Sequence, residues 1–263
     1  MRIGKVERYI SESLETKGAM LFSLIDPLDY RSPEDAVKTA TESARGGADL
    51  VLLGGSMGMQ GGILDDITKQ IKEKIDVPLV IFPGNTSAIT TNIDAIYFMS
   101  LLNSRNPYWI TQAQMLAAPV IRRLRIEPIP VGYIVVAPGG TVGWIGDVNI
   151  IPREKPAIAA SLAVAGEFMG NKLIITDTGS NPQMQNSGPV PNEMIKMVKS
   201  MVSVPYIVAG GIRTADQLRE VYSSGADIAQ IGTAFEDHSD PYKQAAIFAK
   251  VVKEEGGKKI GSR

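Results

Sequence analysis

The residues best suited to chemistry lie in the second half of the chain, where an apolar run leads directly into a carboxylate. Leu173–Thr176 has the composition of a buried strand, and Asp177 follows it. The loop that comes next consists of small polar residues: Thr178, Gly179, Ser180 and Asn181. Such a loop exposes backbone N–H groups and hydroxyls around one point, and Pro182 prevents a regular helix across it. This stretch predicts an anion site, such as a phosphate site, beside a carboxylate that can accept a proton from a substrate hydroxyl.

Two later apolar runs also end in small residues. Gly210 and Gly211 follow one of them, and Gly232 and Thr233 follow the next. Three consecutive strand ends of this kind indicate one phosphate pocket shared between them. The alternative is that all three are ordinary strand-to-helix turns, which favour Gly and Thr for conformational reasons.

A second carboxylate, Asp26, ends the first apolar run and is followed by Pro27. Ser56 follows the second run, after two glycines. A site rich in oxygen ligands and poor in histidine suits Mg²⁺, which takes one or two carboxylates and completes its shell with water and substrate phosphates. We therefore expect Asp26, with Ser56 as a second oxygen, to hold Mg²⁺. The alternative is that Asp26 only caps a turn with Pro27.

The composition narrows the function further. With no cysteine and the single histidine His238 among 263 residues, Cys-bound zinc, thiolate catalysis and multi-histidine mechanisms are excluded. The formal charge of −1 gives no general attraction for nucleic acid or anionic lipid. The charged first eight residues do not resemble a signal peptide, and no apolar run approaches the length of a membrane span, so we expect a cytoplasmic protein.

The elements that must position these residues are eight short apolar runs. They are Ala19–Ile25, Leu50–Leu53, Leu79–Phe82, Ala95–Met99, Ile129–Ala137, Leu173–Thr176, Tyr206–Ala209 and Ile228–Ile231. Continuous Val, Ile and Leu runs indicate parallel strands that are covered on both faces. Helical patterns separate most of them, so the sequence predicts an α/β fold, a (β/α)₈ TIM barrel formed as a single domain over residues 1–263. An open doubly wound sheet is the alternative fold.

The helical candidates follow the same alternation. They begin at Ser32, an N-cap before Pro33, and continue with Met57–Lys74, Pro107–Arg125, Pro152–Gly170, Pro191–Met201, Ala215–Ser223 and Pro241–Glu255. Pro119 should kink or split its helix. The third helix should be irregular, because residues 83–93 leave hardly any room for it. In a barrel, the carboxyl ends of all strands meet at one face, so the candidate residues should share a site.

Two apolar segments indicate a groove that leads away from this site. The glycine-rich residues 138–146 carry Trp144, and Tyr108-Trp109-Ile110 opens a helix that also bears Met115, Leu116 and Val120. Together they could line a groove for a hydrocarbon chain. Packing of the helix face on the barrel, or a subunit interface, explains the helix equally well. Arg213 follows Gly210-Gly211-Ile212 and could reach a phosphate, but a solvent-exposed first-turn arginine is the ordinary explanation. His238 is explained as part of a helix entry.

With these residues in place, the chain resembles the geranylgeranylglyceryl phosphate synthase family, the TIM-barrel prenyltransferases of archaeal lipid synthesis, nearly from end to end. The matching motifs are Leu24-Ile25-Asp26-Pro27, Gly54-Gly55-Ser56, Phe82-Pro83-Gly84, Phe98-Met99-Ser100-Leu101-Leu102-Asn103-Ser104 and Ala209-Gly210-Gly211-Ile212. The resemblance implies transfer of a prenyl group from geranylgeranyl diphosphate to the 3-hydroxyl of sn-glycerol 1-phosphate, with Mg²⁺ and release of diphosphate. It implies metal binding by Asp26 and Ser56, and a catalytic role for Asp177.

The same resemblance assigns glycerol phosphate to three stretches: Thr176 to Asn181, Gly210-Gly211 and Gly232-Thr233. The sixth-strand motif of the family typically reads Tyr-Leu-Glu-Ala-Gly-Ser-Gly, whereas this chain has Ile175 for the tyrosine, Asp177 for the glutamate and Asn181 for the last glycine. Thr176 and Thr178 are then expected to replace the missing hydroxyl. Leu28-Asp29 also stands where the family usually has Asp-Lys.

We further expect a homo-oligomer that makes, at most, brief contact with a membrane surface. Two alternatives stay open at this point. One is a phosphosugar isomerase or aldolase-type barrel enzyme, which would need a catalytic lysine or a second acid–base residue at a strand end. The other is a phosphate-binding barrel that has lost its activity.

Overall fold

Eight parallel strands, paired in chain order, close into a barrel because β1 also pairs with β8. The computed structural model describes residues 3–55, 61–180 and 188–262. The strands are β1 Met20–Ile25, β2 Leu50–Gly54, β3 Leu79–Phe82, β4 Ala95–Leu101, β5 Glu127–Val135, β6 Leu173–Asp177, β7 Tyr206–Ala209 and β8 Ile228–Ile231. The predicted TIM barrel is confirmed, and the open doubly wound sheet is excluded.

Helices cover the outside of this barrel. Within the described ranges they are α1 Lys5–Lys17, α2 Pro33–Arg45, α3 Gly62–Lys72, α4 Ala113–Leu124, α5 Gly140–Ile145, α6 Pro156–Phe168, α7 Asn192–Met201, α8 Ala215–Ser223, α9 Thr233–Glu236 and α10 Pro241–Gly261. As predicted, Ser32 caps α2 by accepting the Asp35 N–H. Residues 83–94, all described, contain no helix, which confirms the short third unit. None of the helices in the described residues is long and apolar enough to cross a bilayer.

Two helices differ from the sequence-based expectation. Helix α4 runs without a break through Pro119, so the predicted split is wrong, and a single π-helical turn, Tyr108–Gln112, precedes it. Helix α1 was not predicted. Its Val6, Ile10 and Leu14 side chains join the cluster inside the barrel, and its Val6 and Glu7 N–H groups donate to the Glu127 carboxylate. The helix thereby closes the end of the barrel opposite the strands' carboxyl ends.

The pleat of each strand decides which side chains enter the barrel. On β6, Leu173 and Ile175 belong to the interior cluster, whereas Ile174 packs against the helices. Because successive side chains point to opposite faces, Asp177 faces inward and Thr176 faces outward. Neighbouring residues of one strand therefore face different layers: Asp177 faces the barrel interior, and Thr176 faces the helices.

An aspartate before each of three even-numbered strands ties that strand to its neighbour. Asp227, before β8, accepts the Tyr206 N–H of β7 at 2.9 Å and the Lys199 ammonium of α7 at 2.6 Å. The equivalent aspartates and their partners are Asp49 with Leu21 and Lys17, and Asp94 with Leu79 and Lys72. This contact explains why a Gly-Ala-Asp sequence precedes both β2 and β8.

Replacing Asp227 with Ala should lower the free energy of unfolding by about 2 kcal/mol, because it leaves the Tyr206 N–H without its acceptor and Lys199 without its partner. Asp227→Asn keeps an acceptor oxygen and should cost about half as much. Both values are measurable by denaturant titration. Asp216→Ala is the control, since this exposed carboxylate pairs only with Arg219 across one helical turn. Equal losses in Asp227→Ala and Asp216→Ala would contradict the role assigned to Asp227.

Candidate active site

One cavity at the carboxyl ends of the strands brings most of the candidate residues together. Its volume is about 1490 Å³, including the part open to solvent. The sequence-predicted residues that line it are Asp26, Asp177, Gly179, Ser180, Gly210, Gly211, Gly232 and Thr233. The two carboxylates and the three glycine-containing strand ends therefore face the same space.

Four other predicted residues are not at this cavity or are not described. The hydroxyls of Thr176 and Tyr206 bond to each other at 2.6 Å, and the Thr176 side chain is fully buried on the outer face of β6. The Thr178 hydroxyl donates to the Gly188 carbonyl at 3.4 Å, away from the cavity lining. The expectation that these two threonines replace a missing substrate contact is therefore not supported. Ser56 and Asn181 lie outside the described residues.

Asp177 is a buried carboxylate held by two hydrogen bonds. The Tyr133 hydroxyl donates to its Oδ2 at 2.6 Å, and the Gly179 N–H donates to its Oδ1 at 2.6 Å. Burial raises the pKa of Asp177, while the bonds from Tyr133 and Gly179 lower it by stabilising the ionised form. The result is a carboxylate that is a stronger base than usual, with its orientation fixed.

The close approach of backbone to this carboxylate requires two glycines. Gly179 has φ +85° and Gly210 has φ +80°, in the region that L side chains rarely adopt. A Cβ at Gly210 would lie 2.6 Å from Asp177 Oδ1, and one at Gly179 would lie 2.6 Å from the Gly139 carbonyl. The strand-end glycines are thus needed for packing around Asp177 as well as for any anion they bind.

Asp26 has the turn-capping role that the sequence offered as an alternative. It caps the 3₁₀ turn Pro27–Asp29 by accepting the Leu28 N–H at 3.1 Å, and it also lines the cavity. Gly55 of the adjacent unit packs against it so closely that a Cβ there would overlap the carboxylate. Burial, followed by the neighbouring charge of Asp29, raises the pKa of Asp26 to about 6. A cation beside it would favour the ionised form.

Two further charged residues line the cavity near Asp26. Glu236 of α9 has its pKa raised to about 8 by burial and then by the charges of Asp29 and Asp26, with Arg213 acting in the opposite sense. The Arg213 side chain is only 19% exposed and pairs with Asp237, so the expectation of a solvent-exposed arginine is wrong. The mouth of the cavity therefore carries an acidic side with one arginine near it.

The donor set on this acidic side fits Mg²⁺. No three His, Asp or Glu side chains converge as a metal cage anywhere in the described ranges. Zn²⁺ and Ca²⁺ sites usually need such a set, whereas Mg²⁺ is commonly held by one or two carboxylates together with water and substrate phosphates. Asp26, with Asp29 beside it on the same turn, offers that arrangement.

An apolar arm of the cavity runs between the barrel and α4. Four side chains from α4 and the turn before it line this arm at helical spacing: Trp109, Ala113, Ala117 and Ile121. Val142 and Ile145 of α5 line it from another side. Apolar side chains therefore line the cavity where the groove was predicted, but six of the residues assigned to it do not: Tyr108, Ile110, Met115, Leu116, Val120 and Trp144. Trp144 is 88% exposed, and Met115, Leu116 and Val120 lie on the exposed face of α4.

Sequence reasoning missed three polar side chains inside the barrel. Tyr97 of β4, Tyr133 of β5 and Gln230 of β8 are buried, line the cavity and belong to runs that read as apolar strands. The only signal was their polar chemistry at positions where the pleat points inward. His238, by contrast, has the structural role that was expected, since its Nδ1 accepts the Asp240 N–H at 3.0 Å where α10 begins.

Comparison with known proteins agrees with this site. The PcrB family model matches residues 14–251. The geranylgeranylglyceryl phosphate synthase of Pyrococcus abyssi is 49% identical over 236 residues, which are 90% of this chain and 92% of that protein. The synthase of Methanosphaera stadtmanae is 42% identical over 247 residues, 94% of this chain and 99% of that protein.

Among solved structures, (S)-3-O-geranylgeranylglyceryl phosphate synthase from Thermoplasma acidophilum, crystallised in complex with its substrate sn-glycerol-1-phosphate, superimposes with a TM-score of 0.88. It is 32% identical, and the alignment covers 96% of this chain and all of that one. Sequence, fold and cavity thus lead to one assignment. The chain belongs to the PcrB family, and the relatives described above are geranylgeranylglyceryl phosphate synthases.

Proposed function

We propose that this protein is a prenyltransferase that joins geranylgeranyl diphosphate to the 3-hydroxyl of sn-glycerol 1-phosphate and releases diphosphate. The observation that carries the proposal is a single cavity with two unlike ends. Gly179 and Gly210 pack against Asp177 at one end, with Gly211 and Gly232 on the neighbouring strand ends, and apolar side chains of α4 line the other end. A small phosphorylated alcohol and a prenyl diphosphate can therefore meet head to head. The likeness to synthases that span the whole chain supports this reading.

The acceptor end suits a phosphate and one reactive hydroxyl. The Gly179 N–H is already bonded to Asp177, so the backbone N–H groups at Gly210, Gly211 and Gly232 are left for the phosphate, in a cavity without lysine among its described lining residues. With the phosphate fixed there, the far hydroxyl of glycerol phosphate reaches Asp177. The carboxylate accepts the proton of that hydroxyl as the oxygen attacks the allylic carbon. Tyr133 and Gly179 hold the carboxylate in place during this transfer.

The donor end suits a diphosphate. Asp26, with Asp29 and the serine at position 56 as further oxygens, would hold Mg²⁺. The bound cation would neutralise the negative charge that develops on the leaving diphosphate. Arg213 lies at the same mouth and adds positive charge beside the leaving group.

The apolar arm suits the hydrocarbon tail. Ala113 and Ala117 leave room on the inner face of α4, and Trp109 and Ile121 border that space. Burial of an extended chain against such a surface contributes about 25 cal/mol per Å² of apolar area removed from water, so the arm supplies binding energy far from the reacting carbon.

Three other expectations stay predictions of the proposal. The exposed apolar face of α4, formed by Met115, Leu116 and Val120, supports a homo-oligomer through that face. Release of a lipid product supports brief contact with a membrane surface. The phosphate and diphosphate groups of the two substrates support a cytoplasmic site of action. The aldolase-type alternative loses its main requirement, because no lysine lines the cavity in the part of the chain that is described.

Incubation with Mg²⁺, labelled sn-glycerol 1-phosphate and a series of prenyl diphosphates should give label that is extractable into organic solvent, with geranylgeranyl diphosphate as the best donor. Product length is measured by mass spectrometry. Thermal stabilisation by glycerol 1-phosphate without any extractable product would instead identify a binding protein that has lost its activity.

Asp26→Asn should lower kcat by about 10³-fold, because the amide holds the cation poorly while still accepting the Leu28 N–H. Binding of glycerol 1-phosphate, measured by calorimetry, should be unchanged. Glu236→Gln is the matched control, since it removes a carboxyl group that lines the same cavity but is not assigned to the cation, and it should lower kcat by tenfold or less. Similar losses in the two variants would show that Asp26 has no special role in metal binding.

Tyr133→Phe should move the acidic limb of the kcat–pH profile to higher pH. The Tyr133 hydrogen bond lowers the pKa of Asp177, so its removal raises that pKa, and the base is then lost by protonation at a higher pH. Tyr97→Phe is the control, because its hydroxyl has no partner among the described residues, and its profile should not move. Asp177→Asn should lower kcat by about 10²–10⁴-fold at every pH. An unmoved limb in Tyr133→Phe would argue against Asp177 as the base.

A further inference from the structure

Gln230 is a buried amide that has no hydrogen-bond partner in the described part of the chain. It lies on β8 with 2% of its surface exposed, and it lines the cavity. Neither its Nε2 nor its Oε1 has a hydrogen-bond partner among the described residues. A buried side-chain amide normally makes hydrogen bonds, since leaving them unmade is costly, so an unpaired one that faces a cavity indicates a ligand group.

The strand register places this amide across a gap from Asp177. Asp177 of β6 pairs with Ala209 of β7, and Ala209 pairs with Gln230 of β8, so the three residues form one rung of the barrel. Two strand spacings separate the outer members by about 10 Å between Cα atoms. The residue between them has only a methyl group as its side chain. The space over Ala209 is therefore bounded by a carboxylate on one side and a free amide on the other.

This gap suits the one polar group of the acceptor that neither Asp177 nor the strand-end glycines bind. Glycerol phosphate has three polar groups: the phosphate, the hydroxyl that reacts and the hydroxyl on the central carbon. The strand-end glycines take the phosphate, and Asp177 takes the reacting hydroxyl. The central hydroxyl both donates and accepts a hydrogen bond. Gln230 offers an acceptor, its Oε1, and a donor group, its Nε2 amide.

We propose that Gln230 binds the C2 hydroxyl of the glycerol phosphate acceptor and thereby fixes which face of the three-carbon backbone is presented to Asp177. This inference rests on the proposed function and assigns a specificity residue within it. Contacts at the phosphate, at C3 and at C2 give three-point recognition, which is sufficient to distinguish the two mirror-image glycerol phosphates.

Two other buried polar atoms that line the cavity lack a partner in the described ranges: Gln114 Oε1 and the Tyr97 hydroxyl. Gln114 belongs to α4, and its Nε2 already donates to the Trp109 carbonyl at 3.2 Å. Tyr97 lies inside the barrel. Its ring, however, packs edge-on against Phe82, which packs in the same way against Tyr133, each at 5.6 Å between centroids. Phe82 and Tyr133 thus separate Tyr97 from Asp177, whereas only Ala209 lies between Asp177 and Gln230.

The test compares two acceptors, sn-glycerol 1-phosphate and 3-hydroxypropyl phosphate, which lacks the C2 hydroxyl. The wild-type enzyme should use the second about tenfold less efficiently in kcat/KM, and Gln230→Met should use both within about twofold. The KM for the prenyl diphosphate should not change. Because the unpaired amide is replaced by an apolar side chain of similar size, the variant should also melt a few degrees higher than the wild type.

Ser23→Ala is the control for removing a buried polar group. The Ser23 hydroxyl is likewise buried and without a described partner, but it does not line the cavity. This variant should keep the wild-type discrimination between the two acceptors.

The outcomes distinguish failure of the C2 assignment from failure of the proposed function. If the wild type uses both acceptors equally well, or if Gln230→Met still discriminates, the C2 assignment is wrong and the prenyltransferase stands. If Gln230→Met is less stable than the wild type, the amide has a structural partner and the assignment falls. If the wild type does not turn over glycerol 1-phosphate at all, the proposed function fails and this inference with it.

Discussion

The site is organised around one buried carboxylate, Asp177, whose charged form is supported by two hydrogen bonds. Removing a carboxylate from water favours its protonated form, and hydrogen bonds must offset that loss. For Asp177 the offset comes from the Tyr133 hydroxyl and the Gly179 N–H. The Gly179 N–H is presented from backbone at φ +85°, and Gly210 approaches the carboxylate so closely that a Cβ would lie 2.6 Å from its Oδ1. These glycines and Asp177 are therefore one structural unit.

The pleat of the strands distributes side chains between this unit and the scaffold. Asp177 and Gln230 face the cavity because they occupy inward positions of β6 and β8. Thr176, one residue away, bonds to Tyr206 in the layer between strands and helices. Away from the site, Asp49, Asp94 and Asp227 tie neighbouring strands together at their amino ends. Stability and chemistry thus lie at opposite ends of the barrel, as the fold generally arranges them.

The sequence predicted the barrel because eight continuous apolar runs indicate parallel strands covered on both faces. It predicted the cavity because strand ends of such a barrel converge. It failed where the face of an element matters. The helical spacing of Trp109, Ala113, Ala117 and Ile121 identifies the inner face of α4. The prediction instead rested on the larger apolar residues Met115 and Leu116, which lie on the exposed face. In the same way, inward Asp177 already implied outward Thr176.

Other features could not be derived from sequence alone. Tyr133 and Gln230 read as ordinary members of apolar strands until the register between strands is known. The amphipathic α1 carries few strong start or stop signals, since Gly4 provides no side-chain cap. Its docking depends on Glu127, far away in sequence. Long-range contacts of this kind have no local signature.

The departures from the family motif can be read against these contacts. Where the family typically has a tyrosine, this chain has Ile175, and its register partner on β5 is Tyr133, whose hydroxyl reaches Asp177. A hydroxyl is thus available beside the carboxylate from the neighbouring strand. On the first strand, Asp29 stands where the family usually has lysine, and its charge helps to raise the pKa of Asp26. This side of the cavity therefore holds more negative charge than the usual motif would give it, which increases its need for a cation. The first change thus keeps a hydroxyl beside Asp177, and the second raises the pKa of Asp26. Under the proposed function, binding of a cation there would be coupled to ionisation of Asp26.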